Sequence, residues 1–203
     1  MSDTNPRNHL AATDVLRGQK VHLRLPRLSE LSFIRTLWAD VDTMVSVGGP
    51  VDLPEAKASD WFAQMVEPGD PSDCYCLILA REDIPVGEIS FHHWNPRERT
   101  AVLNVKVLAA QRGHGYAKDA LGTFLRFFFG RVHGNVMTDD VAAGNRAGQQ
   151  LLASFGFVGD NSISGIRMMQ MTKRMYLAKY GEPTDNDTLR PVTTHTPALR
   201  PSP

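Results

Sequence analysis

The chain has 203 residues, and its 22 Lys and Arg are balanced by 22 Asp and Glu. That length suits one domain with a proper core, and the zero net charge argues against nucleic acid or a membrane surface as partner. No run approaches the roughly 18 apolar residues of a membrane span, and Met1-Ser2-Asp3-Thr4-Asn5-Pro6-Arg7-Asn8 lacks the apolar core of a signal peptide.

Residues 1–17 are polar and mixed and are expected to be disordered. Residues 21–25, Val-His-Leu-Arg-Leu, alternate and predict a first strand, which Pro26 ends. Leu28, Leu31, Ile34, Leu37 and Trp38 then fall at helical spacing. A short helical segment over 41–47 ends at Gly48-Gly49-Pro50, and Pro54 with Glu55 opens a helix running to about Val66. After the loop Pro68-Gly69-Asp70-Pro71, strands are predicted over 74–81, 86–94 and 101–108. Cys74 and Cys76 share one strand face and are poorly placed to bridge each other. They read as buried thiols in a reducing, cytoplasmic setting, with no metal site.

Between the third of these strands and the apolar helix predicted over 118–129 stands Arg112-Gly113-His114-Gly115-Tyr116-Ala117. Two glycines one residue apart let the backbone turn tightly and present its N–H groups. The helix start adds unpaired N–H groups and the positive end of its dipole. Together they predict an anion cradle suited to a diphosphate. A dinucleotide fingerprint would need glycine where Lys118 stands, and the P-loop pattern is absent. A strand over 135–141 and a helix from Asn145 follow. Asn145 can cap that helix, Gly156 can end it, and Phe157 starts the next strand. Residues 18–180 read as the domain and 181–203, rich in Thr, Pro and Asp, as a disordered tail.

Arg112, Gly115 and Ala117 fit (R/Q)-x-x-G-x-(G/A), the acyl-coenzyme A loop of the GNAT superfamily of N-acetyltransferases, which this chain resembles. Asn145, Leu151, Gly156 and Phe157 match its N-x-x-(A/S)-x-x-(L/V)-x-x-x-x-G-F segment in register. Residues 21–30, the strand Val86-Gly87-Glu88-Ile89-Ser90 and the loop 111–121 are similar to the ribosomal-protein N-terminal acetyltransferase branch. The resemblance implies an α+β fold: a mixed, mostly antiparallel twisted sheet flanked by helices and splayed at the acetyl-CoA site. It implies acetyl-CoA as cosubstrate, held by Val107, Gln111, Arg112, Gly113, His114, Gly115, Tyr116, Ala117 and Asn145. A backbone N–H near Val107 is expected to polarise the thioester carbonyl. A homodimer is left open.

The amine must lose a proton, and candidates for its acceptor are Asp140, five residues before Asn145, and Glu88 at mid-strand. Alternation turns Asp139 to the face opposite Asp140. His92-His93 is read as an edge pair rather than as a base. The leaving thiolate needs a proton, yet Leu152 stands at the family's usual tyrosine and Gly148 where the branch often has serine; neither can donate. Unassisted departure, donation by Tyr116 or Ser154, and binding without turnover remain as alternatives. The expected activity is direct acetyl transfer in a ternary complex to a primary amine, of a protein N-terminus or a small molecule. The alternative is an acetyl-CoA-binding sensor. The amine is not specified, because residues 28–66 build its pocket.

Overall fold

The computed structural model describes residues 10–160 and 164–183. Strands β1 (Leu16–Arg17), β2 (His22–Arg24), β3 (Cys74–Leu79), β4 (Pro85–Asn95), β5 (Thr100–Val107), β6 (Val136–Ala142), β7 (Val158–Gly159) and β8 (Ile166–Thr172) form one sheet. Its order is β1-β2-β3-β4-β5-β6-β8-β7. Only the β5–β6 pairing is parallel; the others are antiparallel. The helices are α1 (Leu31–Ala39), α2 (Val41–Met44), α3 (Glu55–Met65), α4 (Tyr116–Gly130), α5 (Arg146–Phe155) and α6 (Lys173–Tyr180).

Strand β3 explains the layering, because every one of its residues is buried. Cys74, Cys76 and Ile78 point into a core with Phe91, Phe124, Phe127 and Phe128, which lies under α4. Tyr75, Leu77 and Leu79 point the other way, into a second core with Ile34 of α1 and Phe62 of α3. A strand covered on both faces carries apolar residues at successive positions instead of alternating. Helix α4 has buried residues at Ala120, Leu121, Thr123, Phe124, Leu125, Phe127, Phe128 and Phe129, as its apolar composition predicts.

Three sequence expectations need correction. Residues 10–17, expected within a disordered segment, are folded: Leu10, Val15 and Leu16 are buried, and Leu16 and Arg17 pair with β2. A few well-spaced apolar residues sufficed where the average composition is polar. Residues 1–9 lie outside the described residues. The strand expected to start at Phe157 is the two-residue β7, and β8 and α6 follow it, with Thr172 capping α6 by accepting from the Met175 N–H. At the other end, the expected tail begins with 181–183, of which Pro183 lies against Gly130, while 184–203 are outside the described residues.

The feature that positions the site is the parting of β5 and β6. They pair only at Thr100↔Val136, Ala101↔Met137 and Val102↔Thr138. Beyond these, β5 continues on β4 to Val107 and β6 continues on β8 to Ala142. A wedge opens between Leu103–Val107 and Asp139–Ala142, leaving one edge of β5 without a strand partner.

Candidate active site

Leu108 N–H donates to Val86 O on β4 at 2.9 Å. Successive strand amides point to opposite sides, so Val107 N–H faces the wedge. Gly87, opposite Val107, is required there: a Cβ on it would lie 2.1 Å from Lys106 O. The glycine allows β4 and β5 to close while the far edge of β5 stays free.

The loop after β5 turns at Gly113 and Gly115, both in the left-handed region, at φ +83° and +82°. Its frame comes from the other end of the chain. Asp119, in the first turn of α4, accepts the backbone N–H groups of Gln19, Lys20 and Val21 at 3.1, 2.7 and 2.9 Å. Lys20 Nζ then donates to His114 O at 2.9 Å. The sequence carries no short-range signal for this clamp, because its partners are about a hundred residues apart.

A cleft of about 670 Å³ runs from this loop to the wedge, lined among others by Val107, Gln111, Arg112, Gly113, Gly115, Tyr116, Ala117 and Asn145. Of the expected loop contacts only His114 lies off the lining; its ring stacks on Tyr116 with centroids 5.4 Å apart. Arg112 lines the cleft, but its guanidinium donates to Thr43 O at 3.1 Å. Asn145 caps α5 by accepting from Gly148 N–H at 2.9 Å, and its amide reaches Ser46 O at 3.4 Å. The tight cap explains Gly148: a Cβ there would lie 2.8 Å from Asn145 Nδ2. The segment 43–46 therefore ties the β5 flank to the α5 flank, helped by Thr43 Oγ1, which accepts from Ala109 N–H at 2.8 Å. Thr43 and Ser46 were not anticipated.

A diphosphate fits the cradle on the structure's own terms. The positive-φ glycines keep side chains away, the α4 start offers its unpaired N–H groups, and the open edge of β5 can bond an extended amide chain. These are the requirements of a coenzyme A arm.

A second cavity of about 530 Å³ joins the first at Ser46, Val47, Val105, Asn145, Gly148 and Leu151. Its titratable lining consists of His92, His93, Asp139 and Asp140, with no Lys or Arg. Asp140 is exposed, on the sheet face of Thr138 and Val102. Asp139 faces the other way, as alternation predicts, and is half-buried. Burial first, then the neighbouring Asp140 charge, push its carboxyl up to about 7, against an opposing pull from Lys106. His92 bridges Ser90 Oγ at 2.9 Å and Asp73 at 3.1 Å, a pairing that fixes its ring.

Glu88 lines neither cavity. It is 1% exposed and bonded to Lys106 Nζ at 2.5 Å, to Trp38 Nε1 at 2.8 Å and to the Tyr75 hydroxyl. Burial, then the Glu88 charge, push the Tyr75 phenol well up, so it stays a donor. With three donors engaged, this carboxylate is a buried structural anchor under the wedge. Among the described residues no group of three or more His, Cys, Asp or Glu could hold a metal ion, and no helix is long and apolar enough to cross a membrane.

A strand splayed at a glycine loop beside a helix N-terminus sets a diphosphate cradle in line with an open sheet edge. The acetyltransferase (GNAT) domain family matches residues 20–158, and the chain belongs to it. No curated protein matches the chain. Among solved structures, a spermidine N-acetyltransferase from Vibrio cholerae, in complex with CoA and spermine, is similar with a TM-score of 0.71 and 17% identity. The match covers 78% of this chain and 98% of that one. A GNAT-family acetyltransferase from Bacillus anthracis is similar with a TM-score of 0.66 and 14% identity, over 79% of this chain and 99% of that one. At these identities the likeness is one of fold.

Proposed function

We propose that the protein transfers the acetyl group of acetyl-CoA directly to a primary amine of a small, cationic molecule. The observation that carries this is the meeting of two unlike cavities at the wedge. One is built for a diphosphate and an extended arm; the other has two carboxyl groups and two imidazoles but no lysine or arginine to repel a cation. The Vibrio cholerae protein, whose structure holds spermine, supports a polyamine-like acceptor by likeness of fold. The similarity of residues 21–30 to the ribosomal-protein branch favours a protein N-terminus instead, and that is the second reading.

In this reading the amides of 111–117 receive the diphosphate, and the edge Leu103–Val107 receives the arm. The N–H of Val107 polarises the thioester carbonyl. Asp140, on the acceptor face and open to solvent, takes the proton of the amine directly or through water. Glu88, enclosed under β5, supports the strand and not the proton transfer.

The test is turnover of acetyl-CoA with spermidine, a monoamine of similar length, and a peptide with a free N-terminus. Preference for spermidine supports the cationic acceptor, and preference for the peptide supports the second reading. Coenzyme A binding without turnover of any of them would make the protein a sensor, which the missing hydroxyl at Leu152 favours.

A further inference from the structure

The coenzyme has to meet two places in the cleft at once, the open edge of β5 and the glycine loop. The link Ala109–Arg112 decides how far apart they stand. It is a tight turn, with Gln111 N–H donating to Leu108 O at 2.8 Å and Arg112 N–H to Ala109 O at 3.2 Å. Such a turn keeps its own shape, but these bonds do not fix its place on the molecule. Among the described residues, the hydrogen bonds that join the link to another part of the chain both end on Thr43. Ala109 N–H donates to Thr43 Oγ1 at 2.8 Å, and the Arg112 guanidinium donates to Thr43 O at 3.1 Å. One residue thus pins the link at its first and last positions.

Thr43 is itself held firmly. It lies in α2, is 1% exposed and lines the coenzyme cleft, and Met44 beside it is buried too. Asp40, which caps α2, accepts Thr43 N–H at 2.7 Å. The Thr43 hydroxyl is bonded to the same carboxylate. That bond, then the amide bond, hold the Asp40 carboxyl below its ordinary range, with a further pull from the Arg112 charge. A carboxylate only accepts, so the hydroxyl proton is turned to Asp40 and an oxygen lone pair is left for Ala109 N–H.

We propose that Thr43 is a positioning residue that matches the span between the β5 edge, with its Val107 amide, and the diphosphate cradle to the length of the coenzyme arm; this rests on the coenzyme part of the reading above. Coenzyme A is then a ligand with two anchors on one chain. Its affinity depends on engaging both together, and a cradle out of step with β5 forfeits one of them. Neither anchor uses the Thr43 side chain, so each taken alone is indifferent to it. The same segment also reaches the acceptor side, because Ser46 and Val47 line both cavities.

The experiment titrates CoA and ADP, which carries a diphosphate without the arm, into the wild type, Thr43→Val and Thr43→Ser by calorimetry. Thr43→Val keeps the branched shape and leaves Ala109 N–H without its acceptor. CoA affinity should fall by about tenfold, the scale of one hydrogen bond. ADP affinity should stay within about twofold, because the amides of the cradle are unchanged. Thr43→Ser keeps the oxygen and should bind CoA within about twofold of the wild type. With the amine that the wild type acetylates best, Thr43→Val should also raise KM for acetyl-CoA and lower kcat, as the thioester carbonyl moves out of reach of Val107 N–H.

Equal losses of CoA and ADP affinity would overturn the proposal, because they mark damage to the cradle itself. Unchanged CoA affinity in Thr43→Val would overturn it, as would a Thr43→Ser that binds CoA no better than Thr43→Val. A wild type that binds CoA but not ADP would overturn it too, since the cradle would then hold no diphosphate. A wild type that binds no CoA would overturn both this role and the coenzyme reading. If the wild type binds CoA and acetylates no amine, the acetyl-transfer reading fails alone, and the comparison of CoA with ADP still decides the role of Thr43.

Discussion

The two halves of the cleft are made of different material. The coenzyme half is backbone: two positive-φ glycines, a helix start and the unpaired edge of β5. The acceptor half is side chains, brought from β4, β5, β6 and α5 and underlain by the buried Trp38–Tyr75–Glu88–Lys106 network. A backbone site tolerates most side-chain exchange and fails when a glycine is replaced. A side-chain site fails wherever a partner is lost. Substitutions should therefore separate binding of coenzyme from chemistry and from stability.

The largest separation is expected at Asp140. Asp140→Asn should lower kcat/KM by about 10²–10⁴-fold while leaving coenzyme A binding intact, as steady-state rates and calorimetry would read. Loss of coenzyme affinity in that variant would break the distinction between the two halves. Next comes the buried network. Glu88→Leu leaves the Lys106 ammonium enclosed without its partner, at about 3–5 kcal/mol by denaturant unfolding. Adding Lys106→Met should return most of that loss, and failure to do so would mean that Glu88 serves more than Lys106.

On the backbone side, Gly115→Val forces a β-branched residue into the left-handed region and towards Lys20 Nζ. The strain of about 1–2 kcal/mol predicts coenzyme A binding weaker by about tenfold, with the fold retained in circular dichroism. The smallest effect is assigned to Asn145→Ala, which removes the α5 cap and should cost about 1 kcal/mol of stability in a thermal melt. A much larger loss would show that the reach of Asn145 to Ser46 O contributes beyond capping.

The same division governs what the sequence revealed. Gly113, Gly115, Asn145 and Gly156 are legible because each answers a local backbone demand within a few residues of chain, and the structure gives Gly113, Gly115 and Gly156 positive φ and Asn145 its cap. The apolar runs of β3 and α4 were legible as a strand and a helix; that β3 is covered on both faces shows only in the packing. The place of Glu88 was not legible. Alternation gives the face of a strand residue, but only packing decides that Glu88 meets three donors. Leu10 and Leu16 escaped notice because isolated apolar residues in a polar stretch carry no period.

The Asp119 clamp has a consequence for how the molecule assembles. The residues of the glycine loop are contiguous, yet their frame is tied to Gln19, Lys20 and Val21, separated from Asp119 by 100, 99 and 98 positions. Contacts that distant form only after the chain has met the entropy of closing a long loop. A newly made chain can turn at Gly113 and Gly115 early, but the turn becomes rigid only when the β1–β2 hairpin docks on α4. Maturation of the binding loop is thus a late event, and it belongs to the start of the chain as much as to the loop.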